Sequence, residues 1–323
     1  MKFYFAPMEG ITTYIYRNAH HKHYQGIDKY YAPFVSPGPD QGLSVKEVRD
    51  ILPENNENIP LIPQLMTNRA VDFVKAAQVM ADRGYKEVNL NLGCPSGTVV
   101  SKRKGSGFLA FPDDLDRFLD EVFSDPFIAG GAVEVSIKTR AGKASHDEWP
   151  RLMEIYNKYP MKELIIHPRV QQDQYKNTPS CDVFAHAVAE SKIPLVFNGD
   201  IFRVPEFLAF TERFPQIDRI MLGRGEIRNP ELAERILVLD QAGTDSDAAK
   251  PDLFDKARFR KFHDALIEEY SQVLYGERPV LYKMKELWFY MMSMFPDSEK
   301  IHKKIKKSNH LDEYRAIVDE LFG

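Results

Sequence analysis

The stretch AVDFVKAAQVMADRGYKEVNLNL, residues 70–92, holds a helix and a strand side by side. Val71, Val74, Ala77, Val79 and Met80 recur at helical spacing among polar positions, and Gly84 stands where a helix must stop. EVNLNL (87–92) follows, short and apolar enough for a buried strand. Outward from this unit the same alternation repeats. FYFAP (3–7), KYYAPF (29–34), LIPQL (61–65), VEVSIKTR (133–140), ELIIH (163–167), PLVFN (194–198) and DRIMLG (218–223) complete a set of eight, with helical spacing between them. Alternating β and α units require a parallel sheet, and eight such units in about 240 residues predict a closed (β/α)8 TIM barrel. An open doubly wound sheet is the alternative. The first strand, however, runs into APMEG and not into a GxGxxG turn. Pro63 weakens the third strand, because proline donates no ladder bond.

The barrel pattern fills residues 1–243 and then ends. TDSDAAKPD (244–252) reads as a polar linker, and residues 251–323 carry only helical signals, over 253–275, 279–294, 297–307 and 311–322. This predicts a second, all-α unit of about four helices. Seven lysines (283, 285, 300, 303, 304, 306 and 307) crowd this segment, either as a solvated helix face or as a patch for a polyanion. Bulk charge does not decide between them, since 43 Lys and Arg against 47 Asp and Glu leave a net charge of −4. Two distant cysteines without a CxxC argue against a disulfide framework or a zinc site and fit a reducing cytosol. With no membrane-length apolar run and no signal-peptide pattern, a cytoplasmic monomer without membrane or metal partner is expected.

In such a barrel the C-terminal strand ends converge on one mouth. Here those ends supply Met8 and Glu9, Gln64, Asn91 with Cys94, Lys138 with Arg140, His167 with Arg169, Asn198-Gly199-Asp200 and Gly223-Arg224-Gly225. Any one of them alone is commonplace; the succession is not. NGD and GRG fall after strands seven and eight, where barrels bind phosphate, so a phosphorylated cofactor is implied. Lys138 ends a buried strand and would stabilise negative charge on a flavin ring. On its own, Cys94 reads as a small buried hydrophobe.

These motifs together carry a resemblance. APMEGIT (6–12), QL (64–65), NLNLGCPSGTVVSKRKGSGFLA (89–110), IKTRAG (137–142), HPR (167–169), NGDI (198–201) and GRGEIRNP (223–230) resemble those of the tRNA-dihydrouridine synthases, in order and throughout the barrel. The resemblance implies an FMN enzyme, reduced by NADPH, that delivers hydride from flavin N5 to C6 of a tRNA uridine while a loop cysteine, here Cys94, protonates C5. It makes Gln64, Lys138, His167, Asn198, Gly199, Asp200, Gly223 and Arg224 flavin-binding, with the backbone of Pro7 and Met8 beneath the ring. Asn91 and Arg140 would meet the uridine or its phosphate, and the helical segment 251–323 would bind tRNA. Pro95, Gly97, Gly105 and Gly107 then read as a loop that closes over the target, with Lys102, Arg103 and Lys104 following the RNA backbone. A target uridine must leave its stack to reach the flavin. After HPR the usual Thr-Arg-x-Gln-Gly-Tyr-x-Gly is replaced by VQQDQYKN (170–177), which loses an arginine and gains an acid. The competing readings are a flavin barrel acting on a small molecule, in the manner of dihydroorotate dehydrogenases, and a non-catalytic RNA-binding factor for which Cys94 is dispensable.

Overall fold

The computed structural model describes residues 1–38, 43–242, 254–295 and 298–322, so the expected linker at 244–252 lies outside the described residues. Nine strands, β1 (Lys2–Phe5), β2 (Lys29–Tyr31), β3 (Leu61–Ile62), β4 (Gln64–Leu65), β5 (Glu87–Leu92), β6 (Glu134–Gly142), β7 (Leu164–Val170), β8 (Leu195–Phe197) and β9 (Arg219–Leu222), form one sheet. Its order is β3-β2-β1-β9-β8-β7-β6-β5-β4, and every pairing is parallel. The two edge strands, β3 and β4, are consecutive in sequence and separated only by Pro63. They are one stave in two halves, and that stave closes the barrel. Eight staves were expected from the sequence, and the ninth strand is the mark of a proline that cannot donate to the ladder.

Period-two alternation sorts each strand's side chains. On β5, Val88, Leu90 and Leu92 join the large core shared with the surrounding helices, while Glu87, Asn89 and Asn91 point inward. Tyr4, Ala6, Tyr31, Ile165, Val196 and Met221 form a second, smaller apolar cluster that fills the interior beside them. On the helix Ala70–Asp82 the buried apolar residues are Ala70, Phe73, Val74, Ala76, Ala77 and Met80, with Asp72 buried beside them. Val71 and Val79, expected to share it, are 49% and 40% exposed. The aromatic at 73 claims the face, and the valines fall outside its arc. Gly84, at φ +92°, ends that helix in the left-handed region, where only glycine is unstrained.

After the barrel come four helices, Lys256–Val273, Glu277–Met291, Glu299–Lys307 and Leu311–Phe322. The first packs on the barrel's first helix, Tyr14–His23, where Tyr16 and Phe262 meet edge to face at 5.6 Å. Phe259, Phe262, Trp288 and Tyr314 are fully buried in the same core cluster as the barrel's outer layer. The lysine cluster disperses. Lys283 reaches Gly10 O at 2.7 Å, beside the barrel mouth. Lys285 donates to the carbonyls of Lys306 and Ser308, and Lys304 pairs with Glu320 at 2.6 Å. Lys300, Lys303, Lys306 and Lys307 are exposed on the third tail helix, and no lysine of the cluster lines the mouth.

Candidate active site

Cys94 sits just past β5, and its short loop is held at every backbone polar group it has. The N–H groups of Gly93 and Cys94 donate to Asn91 Oδ1 at 3.0 and 2.9 Å. Gly93 O accepts from Arg140 Nε at 2.9 Å, Cys94 O from both Ser106 Oγ at 2.7 Å and Ser106 N at 3.2 Å, and Pro95 O from Gln171 Nε2 at 3.1 Å. Burial pushes the Cys94 thiol up, so it stays protonated at neutral pH. The thiol itself is only half-buried and lines a cavity of about 480 Å³ at the strand ends.

Across that cavity stands Lys138, half-buried midway along β6, which the structure extends to Gly142, beyond the strand end expected for this lysine. Desolvation, then the charge of Arg140, lowers its ammonium to about 7. Among the described residues its side chain makes no hydrogen bond or ion pair, although Glu9 and Glu286 line the same cavity. Gln64 donates from Nε2 to Asn89 at 2.8 Å and accepts from Asn91 at 2.7 Å. Burial, and next the charge of Arg140, holds His167 neutral. Arg169 Nη1 lies 3.0 Å from His167 Nε2, which must then be the acceptor, leaving Nδ1–H as a donor.

Beyond His167 a second, narrower pocket of about 60 Å³ is lined by Pro7, Met8, Lys138, Asn198, Gly199, Asp200, Gly223 and Arg224. Asn198 is anchored by Nδ2 donating to Met221 O at 2.8 Å. Among the described residues, the N–H groups of Gly199 and Asp200 meet no protein acceptor. Asp200 accepts from Arg169 and, at 2.6 Å, from Arg224, whose guanidinium also lies 4.5 Å from the ring centre of Tyr175. Tyr175 therefore narrows this pocket. A Cβ on Gly225 would fall 2.0 Å from Ile201 O, so only glycine lets the helix Arg224–Arg228 start against that backbone.

All ten residues expected to bind cofactor thus line the two adjoining pockets, together with Cys94, Asn91 and Arg140. Asn91 and Arg140, expected to meet the substrate, also hold the surrounding backbone in place. Both are nearly inaccessible, Arg140 donates from all three guanidinium nitrogens to backbone carbonyls (Gly93, Val170, Gln174), and Asn91 spends its amide on the cysteine loop and Gln64. Lys102, Arg103 and Lys104 lie outside both pockets. Arg103 stacks on Phe111 at 4.3 Å, and Asn68 Nδ2 donates to the carbonyls of Lys102 and Arg103. A Cβ on Gly105 would meet Cys94 O at 2.9 Å and one on Gly107 the Val100 backbone at 2.7 Å, so these glycines let the loop pack on itself.

The family model described as dihydrouridine synthase matches residues 4–321. The chain belongs to the dihydrouridine synthase family. Within that family, the probable tRNA-dihydrouridine synthase 2 of Bacillus subtilis is 26% identical over 329 residues, covering 98% of this chain and 93% of the relative. Among solved structures, a variant of NCR from Zymomonas mobilis superposes with a TM-score of 0.50 at 16% identity (75% of this chain, 87% of that one). A mutant of morphinone reductase in complex with tetrahydroNAD gives 0.51 at 10% (73% and 86%). At such identities the two structures support the barrel alone. In this member of the dihydrouridine synthase family the mouth carries a lip built by residues that had no assigned role in the sequence. Tyr175, Gln174, Glu286 and Tyr290 line the larger cavity. The last two come from the tail helix Glu277–Met291, and nothing in their local spacing distinguishes them from any exposed helical residue.

Proposed function

We propose that the protein reduces uridines in tRNA to 5,6-dihydrouridine, using bound FMN and NADPH as reductant. The observation that carries this reading is Cys94: a protonated thiol on a fully bonded loop, facing a cavity that also holds an unpartnered ammonium. The larger cavity is within the range of cofactor sites, and its residues suit a flavin. Lys138 offers the counter-charge for an anionic ring, Gln64 and His167 offer N–H donors to its edge, and Pro7 and Met8 offer backbone beneath it. Asn198, the free N–H groups of Gly199 and Asp200, Gly223 and Arg224 would hold the phosphate arm once Tyr175 swings off the narrow pocket. FMN held by these residues would, once reduced, supply the hydride that uracil C6 accepts. Cys94 gives its proton to C5, and the thiolate left behind recovers a proton from water. A thiol held above its ordinary range remains charged with its proton at neutral pH, which is what an acid needs.

The flipped uridine would enter past Tyr175 and Tyr290, while Lys102, Arg103 and Lys104, outside the mouth, would follow the backbone of the flanking strand. The helical tail would then meet the tRNA body. One observation favours the small-molecule alternative: the lysine cluster that a polyanion would use does not converge on the mouth. Nucleoside mass spectrometry of unmodified tRNA incubated with the protein, FMN and NADPH distinguishes the two. Dihydrouridine is the expected product; NADPH oxidation without it would move the assignment to a small-molecule flavin oxidoreductase.

A further inference from the structure

The interior of this barrel is filled in two unlike halves. One is apolar, around Tyr31, Ile165, Val196 and Met221. The other is a single file of hydrogen-bonded side chains that starts near the opposite face of the barrel. Lys29 Nζ donates to Glu87 and to Glu163, each at 2.8 Å. Ser136 Oγ donates to Glu87 Oε1 at 2.7 Å and accepts from Asn89 Nδ2 at 2.9 Å. Asn89 Oδ1 accepts from Gln64, Gln64 Oε1 accepts from Asn91, and Asn91 Oδ1 takes the two loop N–H groups described above. All these groups are buried apart from Lys29, which is partly so. A core needing only stability has no use for such a file, because barrels ordinarily fill this space with branched apolar residues and buried polar groups cost free energy unless every one is bonded.

The file has a direction, fixed at both ends. Backbone N–H groups can only donate, so Asn91 must offer its oxygen to the loop and its nitrogen to Gln64. That forces Gln64 to offer nitrogen to Asn89, and Asn89 to offer nitrogen to Ser136, whose hydroxyl proton is left for the Glu87 carboxylate. At the far end Lys29 holds that carboxylate as an acceptor. No amide in the file can turn over without leaving a buried donor facing a donor.

We propose that Glu87, Asn89 and Ser136 are positioning residues for Cys94 and Gln64: their file locks Asn91 in the orientation that carries the cysteine loop, and makes Gln64 present its remaining N–H, a donor, to the cavity. The inference rests on the reading of Cys94 as the acid. Ser136→Ala removes the middle rung and touches neither pocket. It is expected to leave flavin reduction by NADPH within about twofold of the parent, and to slow reoxidation of the reduced flavin by unmodified tRNA tenfold or more, with kcat falling and KM for tRNA held. Iodoacetamide labelling of the protein without flavin, followed by peptide mass spectrometry, gives a readout independent of turnover: the Cys94 rate should change severalfold while Cys181 serves as an unchanged reference. A folded Ser136→Ala protein with parental half-reactions and a parental Cys94:Cys181 labelling ratio would overturn the proposal. Should Ser136→Ala fail to fold, Glu87→Gln keeps the shape but removes the charged acceptor that Ser136 and Lys29 share at the far end of the file, and the same two outcomes decide. If Cys94→Ala turns over like the parent, the acid assignment itself fails, and the labelling ratio still judges the file.

Discussion

On the function proposed above, acid chemistry at Cys94 is separate from cofactor binding, because the thiol belongs to the loop after β5 whereas the proposed cofactor donors come from other strands. Cys94→Ala is therefore expected to keep parental FMN content and thermal stability and to lose uridine reduction by several orders of magnitude, read by single-turnover flavin reoxidation. Loss of flavin together with activity would contradict the assignment. Lys138 makes a different prediction. Its ammonium, lowered to about 7 by burial and by Arg140, is disfavoured in the folded chain relative to the unfolded one. The native state thus holds fewer protons than the unfolded state between about 7 and the ordinary lysine range, so this residue destabilises the flavin-free fold at and below neutrality, and the penalty fades as pH rises to that range. Lys138→Met should accordingly raise the melting temperature of the flavin-free protein at pH 7 while weakening FMN binding, measured by quenching of flavin fluorescence. In the parent, FMN binding should take up a proton at mildly alkaline pH and weaken as pH rises; the variant should lose that dependence. Lys138 and Cys94 could be placed from sequence because each ends a strong strand signal. The engaged state of Asn91 and Arg140 could not, since Asn91 depends on Gln64 brought from β4 and Arg140 on backbone carbonyls brought from the cysteine loop, from β7 and from the loop after it.

The elements repeat this division. Eight strand positions were legible because apolar runs bounded by glycine, proline or charge are what a parallel barrel requires of its staves. The reach of β6 to Gly142 and of β7 to Val170 was not, being set by their mutual pairing beyond the register shift after Arg140. The short helix Arg224–Arg228 depends on Gly225. Gly225→Ala should shift it off Ile201, lower stability by about 1–3 kcal/mol in a denaturant titration, and displace Arg224 enough to weaken FMN binding. Arg17 offers the corresponding test for the first helix. It is fully buried, bonding Thr12 O, the Asp50 side chain and carbonyl, and Asn56 Oδ1, and so ties the loop after β1 to residues 50–56. Arg17→Leu strands Asp50 and should cost about 3–5 kcal/mol, seen as a lower denaturation midpoint.

Over the whole molecule, barrel and tail share one apolar core across Tyr16, Phe262 and Trp288. A chain ending near residue 243 would expose that surface, so it is expected to aggregate, while the full chain melts in one transition by calorimetry. The sequence showed where strand signals cease, but amphipathic helices alone do not say which neighbour their apolar faces choose. The lysine cluster shows the same limit, because adjacency in sequence placed its members on different helices and against different acceptors. One consequence follows from the stave broken at Pro63. Its two halves are two residues each, so they hold the barrel shut with fewer ladder bonds than β5, β6 or β7. Spontaneous opening should begin there, and the amides of 61–66 should trade their protons for deuterium sooner than those of the long strands. Because Gln64 sits on that seam, a ligand that engages it would slow the exchange, and this briefly paired joint would report when the barrel's mouth is filled.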